Sequence, residues 1–335
     1  MDIFGHMPDG EAVGSVEISG GGLKATILSY GSVLHDLRLK GHDAPLVLAY
    51  ADFKDYHEHS PYLGANCGRS INRIRNGKLV IDGKTFQLEK NFLGAHNLHG
   101  GTNGIGTRNW TFVAVSKDEA ILEIRCPDGN MGFPGNLDVR VTYQLSGKGT
   151  LAVTLEAMTD RPTICNLSHH SYFNLEDGGR TPVLDHLMQI NADAYLPVDA
   201  ELIPDGRVLP VKDSDFDFTS PRPIRRSRAG KQVLYDCNFC LSAARGGLMK
   251  AATVSAPSSG IRMECWTGEP GLQFYAGNTM KRSALSPSGN AFDAYAGFCL
   301  ETQIWPNSPE YLYFPQAILR PGQTSRQVSE YRFSS

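Results

Sequence analysis

Val139-Arg140-Val141-Thr142-Tyr143-Gln144-Leu145 alternates apolar with polar side chains, and Leu151-Ala152-Val153-Thr154-Leu155-Glu156-Ala157 does the same. Ser146-Gly147-Lys148-Gly149-Thr150 lies between them. A period of two is what a strand with one buried face produces, and a glycine-punctuated connection this short joins two such strands as a hairpin. The pattern recurs at Lys78-Leu79-Val80-Ile81-Asp82-Gly83-Lys84-Thr85-Phe86-Gln87-Leu88, where Asp82-Gly83 suits a turn needing positive φ at both positions. Ala120 to Cys126 and Gly271 to Ala276 add further strands. No stretch sustains a 3.6-residue period, and neither an internal repeat nor βαβ alternation is visible. With 35 Gly and 19 Pro as punctuation, the reading is all-β, a large antiparallel sandwich or barrel. Asp213 to Pro223 and the basic run Arg225-Arg226-Ser227-Arg228 resemble a linker, but strand patterning is alike on both sides. We therefore expect a surface excursion with a solvated basic face, and residues 1–335 as one domain.

Composition removes whole classes of function. A formal charge of −3 gives no reason to expect nucleic acid or an anionic membrane as partner. No apolar run approaches the ~20 residues that span a bilayer. The first nine residues lack the basic and apolar regions of a signal peptide, so a cytoplasmic location is expected. Seven scattered cysteines argue against a disulfide framework. Cys237 and Cys240 have C-x-x-C spacing without a second pair, and are expected to be structural thiols. Gly83-Lys84-Thr85 ends like a phosphate-binding loop, but Lys78 stands where its first glycine belongs. Gly100-Gly101-Thr102-Asn103-Gly104-Ile105-Gly106 lacks dinucleotide-binding spacing, no G-x-S-x-G elbow occurs, and His96 with His99 has no metal-site companions. No cofactor or metal is expected.

Asn166-Leu167-Ser168-His169-His170-Ser171-Tyr172-Phe173-Asn174-Leu175 carries two adjacent histidines in strand-like context. Neighbours on a strand face opposite ways, so at most one of them looks into any one pocket. Histidine is the side chain whose ordinary pKa lies nearest neutrality. Taken alone, one histidine belongs to the core and the other to the surface. Glu301 interrupts the apolar run Phe298-Cys299-Leu300. A carboxylate there is costly unless paired or used, and Arg73 is the obvious salt-bridge partner.

Ordered blocks along the chain share one resemblance. They are Gly68-Arg69-Ser70-Ile71-Asn72-Arg73-Ile74, Leu98-His99-Gly100-Gly101, His170 to Leu175, Tyr235-Asp236-Cys237-Asn238-Phe239, Gln273 to Asn278, Phe298 to Gln303 and Leu319-Arg320-Pro321-Gly322. The series resembles the aldose 1-epimerase (galactose mutarotase) family over nearly the whole chain. The resemblance implies a large antiparallel β-sandwich of the galactose mutarotase type and interconversion of α- and β-anomers of free hexoses without a cofactor. It places His170 on the family's catalytic acid and Glu301 on its base. Asn72, Arg73, His99, Asp236 and Gln273 fall on sugar-binding positions, with Tyr172 also at the site. His169 replaces a frequent Asn and Cys237 a frequent His, which bears on sugar preference.

The same residues make chemical sense unaided. Ring opening removes a proton from the C1 hydroxyl and delivers one to the ring oxygen, so a base and an acid approach C1 from two sides. The roles reverse on reclosure, each proton transfer being worth ~10²–10⁴ in rate. An imidazolium suits the acid, and a carboxylate held ionised suits the base. Arg73, Asn72, His99, Asp236 and Gln273 supply the mixed donors and acceptors a polyhydroxylated monosaccharide needs. Gln273 and Tyr275 share one strand face and Phe274 takes the other, while Tyr172 shares a face with His170. Three rivals use the same residues: a non-catalytic sugar-binding sandwich, a glycoside hydrolase pairing Glu301 with Asp236, Asp213, Asp215 or Asp217, and a sugar-phosphate epimerase using Arg225, Arg226 and Arg228. A monomer or homodimer is expected.

Overall fold

A computed structural model describes residues 1–59 and 62–335. Two long strands joined as a hairpin stand third and fourth in a nine-stranded antiparallel sheet. Leu137–Ser146 and Thr150–Thr159 pair in register from Leu137↔Thr159 to Ser146↔Thr150. Their alternation is realised strictly: Leu137, Val139, Val141, Tyr143 and Leu145 are buried while the residues between them are not. Glu119–Cys126 and Thr111–Val115 extend the sheet on one side. Ser325–Ser334, Arg262–Thr267, Met249–Ser255, Leu187–Ile190 and Arg222–Pro223 extend it on the other. The Lys78–Ile81/Lys84–Gln87 hairpin turns at Asp82 (φ 51°) and Gly83 (φ 77°), both positive as the turn requires.

A second antiparallel sheet runs Leu209–Pro210, Ala194–Tyr195, Asp236–Cys240, Gly271–Tyr275, Cys299–Gln303. Its inner face carries Cys237, Phe239, Leu272, Phe274 and Leu300, which join Val141, Leu155, Met263 and Tyr331 of the large sheet in one apolar cluster. Polar pins cross the same interface: Tyr331 donates to the Leu300 carbonyl at 3.2 Å and Gln327 to the Thr302 carbonyl at 2.5 Å. A four-stranded N-terminal sheet, Asp2–His6 to Leu34–Leu39, contributes Ile18, Leu23, Ile27, Leu34 and Leu37 to that cluster. The one α-helix among the described residues, Phe53–His59, is seven residues long, and no helix is long and apolar enough to cross a membrane. The basic run is a solvated face as expected: Arg225 pairs with Asp185, and Arg226 and Arg228 with Asp215.

Candidate active site

Strand periodicity and register build one wall of the site. In the smaller sheet Asp236 lies opposite Tyr275, which lies opposite Cys299; the next row is Asn238, Gln273 and Glu301. These residues share the outer face, because their neighbours Cys237, Phe274 and Leu300 point into the core. The other wall comes from the histidine segment. Ser168–His169 pairs with Asn66–Cys67, and the His170 amide donates to the Ala65 carbonyl at 2.8 Å. Phe173 and Phe298 then exchange two backbone hydrogen bonds, 2.7 and 3.0 Å. That antiparallel register, carried on, sets Tyr172 opposite Cys299 and His170 opposite Glu301.

The outcome is a contact between His170 Nε2 and Glu301 Oε1 of 3.5 Å, both side chains buried. The two side chains stand side by side, not apart on two sides of a cavity. Two expectations are corrected here. Both histidines are buried, neither on the surface: His169 is held by Asn66 Oδ1 at 3.1 Å and Ser171 Oγ at 2.7 Å, behind the site. Arg73 does not pair with Glu301; it donates to Asp236 Oδ2 at 3.1 Å, and Gln273 donates to Asp236 Oδ1 at 2.6 Å. Glu301 Oε2 and Arg73 Nε are both buried without a hydrogen-bond partner among the described residues.

His99 joins from the Asn97–Leu98 strand, which pairs with Arg73–Ile74. The Asn72 amide donates to His99 Nδ1 at 3.2 Å, so Nδ1 carries no proton and Nε2 does, making His99 a neutral donor. Its ring meets His170 edge-on at 5.3 Å. Burial, with the His170 and Arg73 charges, holds its pKa well below the usual range. Asn72 accepts from the Arg73 amide at 2.9 Å and so fixes the turn that aims the guanidinium. The Tyr172 ring lies 5.2 Å from that of His170, and Tyr275 meets Tyr172 edge-on at 5.9 Å. Tyr275, not Phe274, is the aromatic on the site side; Phe274 stacks on Tyr235 in the core.

Burial sets the charge state. It pushes Glu301 up to about 8, with Asp236 adding to the rise and Arg73 opposing it. It pushes His170 down to about 4, against its own carbonyl and Asp236, with Arg73 lowering it further. Burial therefore favours a neutral imidazole and a protonated carboxyl over the imidazolium–carboxylate pair. The proton count on the pair is unchanged at one.

The family model for aldose 1-epimerase matches residues 14–332. The galactose mutarotase of Rattus norvegicus is 37% identical over 99% of this chain and 97% of its own length, and the aldose 1-epimerase of Escherichia coli is 33% identical over 97% and 96%. A solved GalM/aldose epimerase homologue from C. elegans superposes with a TM-score of 0.89 at 29% identity, covering 96% of this chain and 99% of its own. The chain belongs to the aldose 1-epimerase family.

Within that family the two departures of this member acquire locations. Cys237 faces the core, away from the paired histidine and carboxylate. His169 backs the site and shares a hydrogen-bonded group with Asn66, Ser171 and Tyr143. Three residues at this epimerase site were missed by sequence reasoning. Cys299 Sγ lies 3.6 Å from His170 Nδ1, Tyr62 places its ring 4.6 Å from that of His99, and Phe92 lies under the Arg73 guanidinium at 4.8 Å. Period two from Glu301 would have found Cys299; nothing local marks the other two. His96 and His99 do not converge. Asn76 donates to His96 Nδ1 at 2.9 Å, and His96 Nε2 faces Glu201.

Proposed function

We propose that this protein interconverts the α- and β-anomers of free hexoses, D-galactose and D-glucose, with His170 and Glu301 moving the protons. The observation that carries the reading is the buried 3.5 Å contact between His170 Nε2 and Glu301 Oε1. The C1 hydroxyl and the ring oxygen are bonded to one carbon, so a donor and an acceptor placed side by side reach both. In the ring-opening direction Glu301, once ionised by passing its proton to the imidazole, takes the hydroxyl proton, and His170 delivers one to the ring oxygen. The aldehyde turns about C1–C2, and closure on its other face returns each proton. Asp236, fixed by Arg73 and Gln273, accepts from sugar hydroxyls, while His99 Nε2–H and Arg73 donate to sugar oxygens as charge develops.

Two rival readings lose support from the ion pairs of the basic run. The arginines that a sugar-phosphate epimerase would need are engaged by Asp185 and Asp215, and Asp215 is thereby occupied as a hydrolase carboxylate. Seven free thiols suit a reducing compartment, which supports a cytoplasmic site of action. Polarimetry of freshly dissolved α-D-galactose tests the proposal. His170→Gln and Glu301→Gln should each abolish the acceleration, and wild-type turnover in either removes that residue from the mechanism.

A further inference from the structure

Arg73 is a cation held mostly out of water, its side chain 10% exposed. A guanidinium carries five N–H donors. Here one hydrogen bond is made among the described residues, to Asp236 Oδ2 at 3.1 Å, and Nε is buried without a partner. That is thin compensation for a desolvated charge. The guanidinium is covered by an aromatic ring, Phe92, whose centroid lies 4.8 Å from its central carbon. A cation within ~6 Å of a ring face is attracted by the ring's quadrupole, and more strongly where water is excluded. Hydrogen bonds hold the ring in place. Leu98 is the register partner of Arg73, and Asn91 grips Leu98, accepting from its amide at 2.8 Å and donating to its carbonyl at 2.9 Å. Phe92 and His96 then exchange two backbone hydrogen bonds, 3.0 and 2.9 Å, and His96 Nδ1 accepts from the Asn76 amide at 2.9 Å. These ties fix the segment at Leu98 and at Asn76, neighbours of Arg73 across the strand pair and along the chain.

We infer that Phe92 is a positioning residue for Arg73, its ring holding the guanidinium against Asp236 and leaving the other donors free for sugar oxygens. The inference rests on reading Arg73 as part of the sugar site. A carboxylate in place of the ring would take those donors for itself and compete with Asp236 for the guanidinium. An aliphatic side chain would cover the cation without attracting it. The ring does neither, because it attracts the cation as a whole and offers no lone pair to its N–H groups. Phe92 is itself half-buried, so its ring can be altered without opening the core. It reaches the sugar through Arg73 and the aspartate that Arg73 fixes.

The test is mutarotation kinetics on α-D-galactose with Phe92 replaced in the wild-type and Arg73→Ala proteins. Phenylalanines carrying one, two and three ring fluorines keep the shape of the side chain while draining its negative face, so kcat/KM should fall in that order. Phe92→Leu should lower kcat/KM about three- to tenfold, the scale of a cation–π contact largely out of water. Phe92→Tyr should keep most of it. In the Arg73→Ala protein the leucine substitution should cost less than about twofold, since the group it acts through is gone. The fluorinated rings decide the matter where the leucine variant does not fold. A flat fluorine series, or the same leucine loss in both backgrounds, overturns the inference, because a packing role depends neither on ring charge nor on Arg73. Wild-type kcat/KM in Arg73→Ala, with Phe92→Leu and Arg73→Ala still coupled in urea unfolding, upholds the contact and overturns the reading of Arg73 as a sugar-site group.

Discussion

Arg73 binds Asp236, and among the described residues Glu301 Oε2 has no hydrogen-bond partner. A buried carboxylate paired with a guanidinium would be a poor base, held ionised well below neutrality. Routing Arg73 to Asp236 keeps Glu301 basic while its positive charge still restrains the rise. Arg73→Ala should therefore do two separable things. Removing one partner of a largely buried, hydrogen-bonded charge pair costs roughly 2–5 kcal/mol, so kcat/KM should fall about thirtyfold or more. Because Arg73 lowers both Glu301 and His170, both limbs of the remaining pH profile should move upward. Limbs that stay in place would show that the guanidinium acts on binding alone.

The pair needs one proton to work. Below about 4 the imidazole also protonates and no base remains; above about 8 the carboxyl ionises and no acid remains. Mutarotation should follow a bell in kcat/KM with limbs near these values, which belong to the coupled pair and to neither residue singly. Activity rising steadily through pH 9 would contradict this, as hydroxide catalysis is removed by subtracting the protein-free rate.

Much of this was readable from the chain, and the unread part has a physical cause. Hairpin turns such as Asp82-Gly83 announce themselves locally, since few residues tolerate positive φ. Alternation told which residues share a face: Tyr172 with His170, and Gln273 with Tyr275. What alternation does not carry is which face of one segment meets another. Spacing offers Arg73 to Glu301 as readily as to Asp236, and the fold gives its guanidinium to Asp236. Nor does spacing bury His169, whose partners Asn66 and Tyr143 lie far away in the chain. The charge states of His170 and Glu301 depend on burial, which no spacing encodes.

Gly100 tests how the chain aims His99. Its φ is +87°, and a Cβ there would meet the Gly68 carbonyl oxygen at 2.0 Å. Gly94 also has positive φ, +65°, but a Cβ would meet nothing within 4 Å. Both alanine variants carry the backbone strain of roughly 1–3 kcal/mol; only Gly100→Ala must displace the loop. Gly100→Ala should lose more stability in urea than Gly94→Ala, and it alone should raise KM for galactose. Equal effects from the two would detach the close approach at Gly100 from the placing of His99.

Phe274 links the site to the rest of the fold. Its ring is fully buried, stacks on Tyr235 at 5.3 Å and meets Phe218 edge-on at 5.6 Å, while Gln273 and Tyr275 on either side face the site. Phe274→Ala should cost about 3–5 kcal/mol through lost burial and the cavity left behind. The apolar cluster to which it belongs gathers residues from Val16 to Phe333. If residues 1–335 are one domain, as we propose, the damage is shared by every strand. The variant should then unfold in a single transition at lower denaturant, seen alike by tryptophan fluorescence and far-ultraviolet circular dichroism. Two separated transitions, with only one moved by the substitution, would divide the chain into independent units and confine the cluster's influence to one of them.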